Sequence, residues 1–113
     1  MVRIYTRPVT PTTWHWPLRR FVVTDRSMEP TLQAGDGLLT TPYLPARVGQ
    51  LRCLPDPRLP DRWLIKRVAA VTDGSMEVSS DNRTAATSDS RRFGAVPVAG
   101  SYAVLVRVPA RWM

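Results

Sequence analysis

Among the sixteen lysine and arginine residues of this 113-residue chain, fifteen are arginine and one, Lys66, is lysine. Arginine holds its proton in proteins, whereas a lysine amine can release it when buried, so Lys66 is the one long basic side chain here able to act as a base. Its neighbours Leu64, Ile65 and Val68 are of the kind that would enclose it. Such a base has to start from a pKa of about 10.4 and fall toward neutrality, each unit representing about 1.4 kcal/mol. The group it would serve is a hydroxyl, because serine is a poor nucleophile until a neighbour takes its proton. The plain alternative is an exposed lysine on a strand edge, left in a chain whose composition has drifted toward arginine.

Three short segments carry the remaining chemistry: Ser27-Met28-Glu29-Pro30-Thr31, Ile65-Lys66-Arg67-Val68, and Ser80-Asp81-Asn82 followed by Thr87-Ser88-Asp89-Ser90-Arg91-Arg92-Phe93-Gly94. Taken singly, each has an ordinary structural explanation. Ser27 could be a turn or cap hydroxyl before the Glu29-Pro30 step, and the acidic, hydroxylated third segment could be a polar surface loop. Cys53 and His15 find no catalytic partner in sequence and read as structural. One cysteine forms no intramolecular disulfide, and one cysteine with one histidine does not make an ordinary zinc site.

The elements that must position these residues are short. Eleven prolines interrupt helical periodicity in most windows. Residues 1–17 read as an irregular arm and 18–113 as one domain. β-Branched and aromatic content predicts a strand over 19–24, another from Gly37, and one over 48–54, with 54–61 a loop because three prolines fall within six residues. Residues 62–72 lack Pro and Gly and suit helix or strand by periodicity; the Asp73-Gly74 turn and a return over 76–79 favour a strand in a hairpin. Residues 80–92 read as a loop and Tyr102–Val108 as the closing strand. The expected fold is mainly β: a single compact domain of some six short antiparallel strands with irregular loops, in which Arg67 alternates away from Lys66 toward solvent.

Composition bounds the rest. Apolar residues make up 43% and charged residues 22%, ordinary values for a globular protein and unlike a disordered chain. No apolar run approaches the roughly 20 residues of a membrane-spanning helix, and residues 1–17 lack the apolar stretch of a secretory signal, so the expected address is cytoplasmic. The net charge of +7 favours anionic partners at long range, although the arginines are dispersed and no helix-turn-helix pattern is visible.

In their order and spacing, the three segments resemble the signal peptidase I-like serine-lysine peptidase family (S26 type), and within it the small soluble actinobacterial branch that includes proteases maturing nickel superoxide dismutase. The resemblance spans about residues 20–97. It implies a signal peptidase/LexA-like β fold and a serine endopeptidase in which Lys66 deprotonates Ser27, with Ser27 N–H in the oxyanion hole. It further implies that Thr87, or Ser88 as a shifted alternative, orients the lysine. Asp89 and Arg91 would pair, and Asp81, Asn82 and Ser90 would support the loop. Met28 and Pro30 would contact substrate, with a gap-filling turn hydrophobe the equal alternative for Met28. No cofactor or metal is implied.

Two departures stand out: Ser80 occupies the usual glycine position before Asp81-Asn82, and Asp25 lies where relatives place a small or hydroxyl residue. The expected partner is a protein or peptide with small residues near the cut, bound as an extended strand. No specific nucleic acid is expected, and at most weak peripheral contact with a membrane. The rival reading is a catalytically inactive β module of this kind that binds protein or nucleic acid.

Overall fold

Residues 59–72 form the organising strand of the molecule, because two hydrophobic clusters draw on its opposite faces. In the computed structural model, which describes residues 2–5, 17–24, 26–82 and 94–110, eight strands follow one another: β1 (Val2–Tyr5), β2 (Arg19–Val23), β3 (Gly37–Thr41), β4 (Leu51–Asp56), β5 (Leu59–Thr72), β6 (Ser75–Ser79), β7 (Val96–Pro97) and β8 (Tyr102–Val108). All pairings are antiparallel, in the order β1-β2-β3-β8-β4-β5-β6-β7. Val2 of β1 also pairs with Trp63 of β5, which closes six of the strands into a ring. No α-helix occurs among the described residues, in agreement with the mainly β reading.

Successive side chains of a strand point to opposite faces. On β5 this sends Ile65 into a cluster with Phe21, Val23, Met28, Leu32, Leu38 and Cys53, and Leu64 and Val68 into a second with Leu54, Met76, Val78 and Val96. Each such side chain, fully buried, contributes about 1.5–3 kcal/mol. Trp63 packs against the first cluster in an aromatic trio, its ring 5.3 Å from Phe21 and 5.8 Å from Tyr102.

Three elements differ from the sequence expectation. The stretch 54–61, expected as a loop, is a tight hairpin in which Pro55 and Pro60 both lie in strands. Pro55 is tolerated because β4 pairs with β8 only at Arg52 and Cys53, leaving that edge open by residue 55, and because the β4–β5 register shifts between Pro55 and Asp56. The strand expected over 48–54 accordingly starts at Leu51 and runs to Asp56. The arm 1–17 is not irregular throughout, since Val2–Tyr5 joins the sheet. The Asp73-Gly74 turn takes positive φ at both residues, 43° and 81°, the backbone a two-residue hairpin of this type requires.

Candidate active site

Ser27 sits on a loop fastened at its base, plugged from below and held at its tip. At the base, Val23 N–H donates to Asp36 O at 2.9 Å and Gly35 N–H to Val23 O at 2.8 Å. Asp36 also accepts from Gln33 N–H at 2.9 Å. Met28 and Leu32 fill the core beneath, with Leu32 N–H donating to Met28 O at 2.9 Å. At the tip, Asn82 N–H donates to Ser27 O at 2.8 Å and Asn82 Nδ2 to Arg26 O at 2.9 Å. The Glu29–Pro30 bond within this loop is cis. The Ser27 residue is 7% exposed.

Lys66 lies midway along β5, between Leu64 and Val68 on the face of the second cluster, and is 2% exposed. Its Nζ donates to Ser80 Oγ at 2.5 Å. Ser80 immediately follows β6 and is itself buried. The segment 80–82 therefore joins the two halves of the site: Ser80 holds the Lys66 amine, and two residues later Asn82 holds the Ser27 carbonyl.

Arg67 and Asp81 brace the other face of this junction. Arg67 Nε donates to Asp81 Oδ1 at 2.9 Å and its second arm to Oδ2 at 2.8 Å, a two-armed geometry that suits a guanidinium. Thr31 Oγ1 adds a bond to Asp81 Oδ2 at 2.5 Å, and Arg67 Nη1 caps Gly49 O at 2.7 Å. The bonds from Arg67, opposed by partial burial and helped by Thr31, hold the Asp81 carboxyl below its ordinary pKa, and the same contact raises that of Arg67. Asp81 N–H donates to Met28 Sδ at 3.4 Å, completing a tie between the loop of Ser27 and the end of β6.

Several sequence assignments change here. Met28, expected to touch substrate or to fill a gap in the turn, is wholly buried in the first cluster and takes the second role. Pro30 is exposed beside the loop tip. Arg67, expected to face solvent, is half-buried in its pair with Asp81, because a carboxylate within reach outweighs hydration of one more cation. Asp81, expected to support the loop, does so through its carboxylate, which accepts from the Arg67 and Thr31 side chains, while Asn82 bonds the backbone of Arg26 and Ser27. Thr87, Ser88, Asp89, Ser90 and Arg91 lie outside the described residues, as do Asp25 and His15. Cys53 is buried in the first cluster, and desolvation pushes its thiol pKa far up, as befits a packing residue.

Sequence reasoning missed Ser80 as a partner of the lysine. It registered only as a departure from glycine; the available signal was a hydroxyl at the end of the strand that pairs beside Lys66, with Arg67 opposite Ser79. It also missed Arg52, which lies directly opposite Lys66 across the β4–β5 pairing and is 1% exposed. No group of three or more metal-ligating side chains occurs among the described residues, and no helix among them is long and apolar enough to cross a membrane.

No protein-family model matches the chain, and no curated protein matches it.

Proposed function

We propose that the chain is a serine endopeptidase of the signal peptidase-like serine-lysine kind, working in the cytoplasm to remove a pro- or signal-type peptide from a partner protein. The observation that carries this reading is the enclosure of the only lysine of the chain, with its amine on Ser80, on the same three-residue segment whose Asn82 holds Ser27. An exposed strand-edge lysine would have none of this. Burial is the condition under which an ammonium releases its proton, and a fixed hydroxyl acceptor aims the nitrogen.

In the proposed reaction the neutral Lys66 amine takes the Ser27 Oγ proton while Oγ bonds to the peptide carbonyl carbon. The developing oxyanion is met by Ser27 N–H. As the C–N bond breaks, the Lys66 ammonium returns the proton to the leaving amine. A water, deprotonated by the same amine, then attacks the acyl-enzyme ester, releasing the acid and regenerating Ser27. The substrate backbone lies extended, with small side chains near the cut.

A purely electrostatic nucleic-acid binder is the less well supported reading, because many of the arginines are engaged internally. Arg52 is buried, Arg67 is paired with Asp81, and Arg19 lies 4.7 Å from the Tyr102 ring centroid.

The deciding experiment measures peptide cleavage by the wild type, Ser27→Ala, Lys66→Ala and Lys66→Arg. All three variants are expected to be inactive, with arginine as inert as alanine because it keeps its proton. Cleavage retained by Lys66→Arg would exclude lysine as the base, and nucleic-acid binding that survives Ser27→Ala and falls steeply with salt would favour the rival.

A further inference from the structure

Directly opposite partners on antiparallel strands set their side chains on one face of the sheet, with Cβ atoms about 4.5–5.5 Å apart. Along β4 and β5 the pairs sort by face. Cys53↔Ile65 falls in the first cluster and Leu54↔Leu64 in the second, so Arg52↔Lys66 continues the face of the second. Two long cationic side chains therefore leave the backbone side by side, at 1% and 2% exposure. Their heads go to opposite neighbours, that of Lys66 to Ser80 after β6 and that of Arg52 to Ser101 before β8.

Buried charges are ordinarily paired. Arg52 instead donates to the side chains of Ser101 and Gln50 and to the carbonyls of Leu44 and Ser101, none of which carries charge. Ser101 Oγ gives its own proton to Val98 O at 2.6 Å and so offers Arg52 only lone pairs. Among the described residues, the other ionisable groups on the surrounding elements are turned elsewhere. On β4, Cys53 lies on the opposite face with its thiol pKa pushed far up by burial, and Asp56 is taken by Arg58 and Arg62. Arg67 of β5 holds Asp81 on the other face, and Glu77 of β6 is exposed between buried Met76 and Val78. Arg107 of β8 lies against Asp36, Arg26 against Glu29, and Arg47 is exposed.

From this arrangement we infer that Arg52 is a positioning residue that acts through Lys66: its fixed charge, one strand away and matched by no carboxylate among the described residues, opposes the ammonium form and extends the neutral amine to lower pH than burial alone would. Like charges in a water-poor interior repel far more strongly than in bulk water. Of the two groups lysine is the one that yields its proton, since a guanidinium keeps its own. A neighbouring cation is a recognised way to activate an amine. The use made of the neutral amine rests on the peptidase reading above, whereas its protonation is measured without reference to cleavage.

The test is a titration of the full chain grown on lysine isotopically labelled at Cε, in which the single lysine gives one side-chain signal whose midpoint is read by NMR. Arg52→Gln removes the charge. Gln50→Glu leaves Arg52 and its bond in place but sets a carboxylate against it, and so serves where the first variant is too unstable. Each is expected to raise the Lys66 midpoint by about half a pH unit or more, and the acid limb of kcat/KM for peptide cleavage to move with it. Ser101→Ala disturbs the cage with the charge intact and is expected to leave the midpoint where it is. A wild-type midpoint at or above the ordinary value of about 10.4 overturns the inference, as does an unmoved midpoint in either folded variant or an equal rise in Ser101→Ala. Raised midpoints without cleavage by any form leave the charge relation standing and overturn the peptidase reading alone; cleavage with unmoved midpoints does the reverse.

Discussion

Arg52 and Lys66 stand directly opposite each other on neighbouring strands, both almost wholly buried, and their head groups are held in different ways. Lys66 Nζ donates to the Ser80 hydroxyl. Arg52 spreads its fork over Ser101 Oγ at 2.8 Å, Gln50 Oε1 at 2.8 Å, Leu44 O at 3.1 Å and Ser101 O at 3.3 Å. All four are neutral acceptors, and burial lowers the Arg52 pKa.

Arg52→Ala is expected to destabilise the fold by about 2–4 kcal/mol, since it leaves a cavity and strips the Leu44 and Ser101 carbonyls of a buried partner. Urea unfolding measures this. A loss below about 0.5 kcal/mol would mean that the cage contributes nothing net.

The Asp81 carboxyl, held below its ordinary pKa chiefly by Arg67, links stability to acid pH. A group whose folded pKa is depressed stabilises above its unfolded value of about 3.9, and that contribution disappears as pH falls through the folded value. Asp81→Asn is therefore expected to cost about 1–3 kcal/mol at neutral pH, with the gap to wild type closing below about pH 4. Thermal unfolding of both proteins across pH 2–7 checks it; a gap constant with pH would rule out the linkage.

Ser80→Ala is expected to lower kcat for peptide cleavage by about tenfold or more with KM little changed, and Ser80→Thr, which keeps the hydroxyl, to recover most of it. Because Lys66 is the only lysine, a protein grown on lysine labelled at the side-chain nitrogen gives one side-chain amine resonance, and Ser80→Ala should displace it. A resonance unmoved by the substitution would remove Ser80 from the role of lysine partner.

Cys53 is fully buried and its thiol pKa is driven up by desolvation. The thiolate is the reactive form, so a thiol-specific reagent at neutral pH is expected to leave the folded protein unlabelled and to modify one thiol per chain in denaturant. Rapid labelling without denaturant would contradict the burial.

What could be read from the sequence followed local rules. The hairpin at Asp73-Gly74, the unbroken run of β5 and the closing strand β8 are written in turn chemistry and alternation, and each lies close to where those rules put it. Pro55 and Pro60 misled because proline's penalty depends on whether its missing donor faces a partner, a matter of tertiary pairing. β1 was hidden because four residues among prolines and threonines carry little periodic information, and their partners lie far along the chain. At the site, residue types identified Lys66 and Ser27 as worth comparing, but Ser80 stood only as a departure from the glycine that the resemblance leads one to expect, and nothing in the sequence tied its hydroxyl to the lysine nitrogen. Arg67 and Asp81 could not be matched from sequence, since fourteen positions separate them and only the β5–β6 hairpin makes them neighbours.

The membership of β5 in both hydrophobic clusters ties the fate of the whole to one ribbon. Harm done to Leu54 or Met76 on one side travels through the same backbone that presents Lys66, so neither half can melt while the other keeps working. A fold wired in this way is expected to unfold in a single step, and if the proposed peptidase activity holds, substitutions far from Ser27 are expected to abolish it at the temperature at which they abolish the fold.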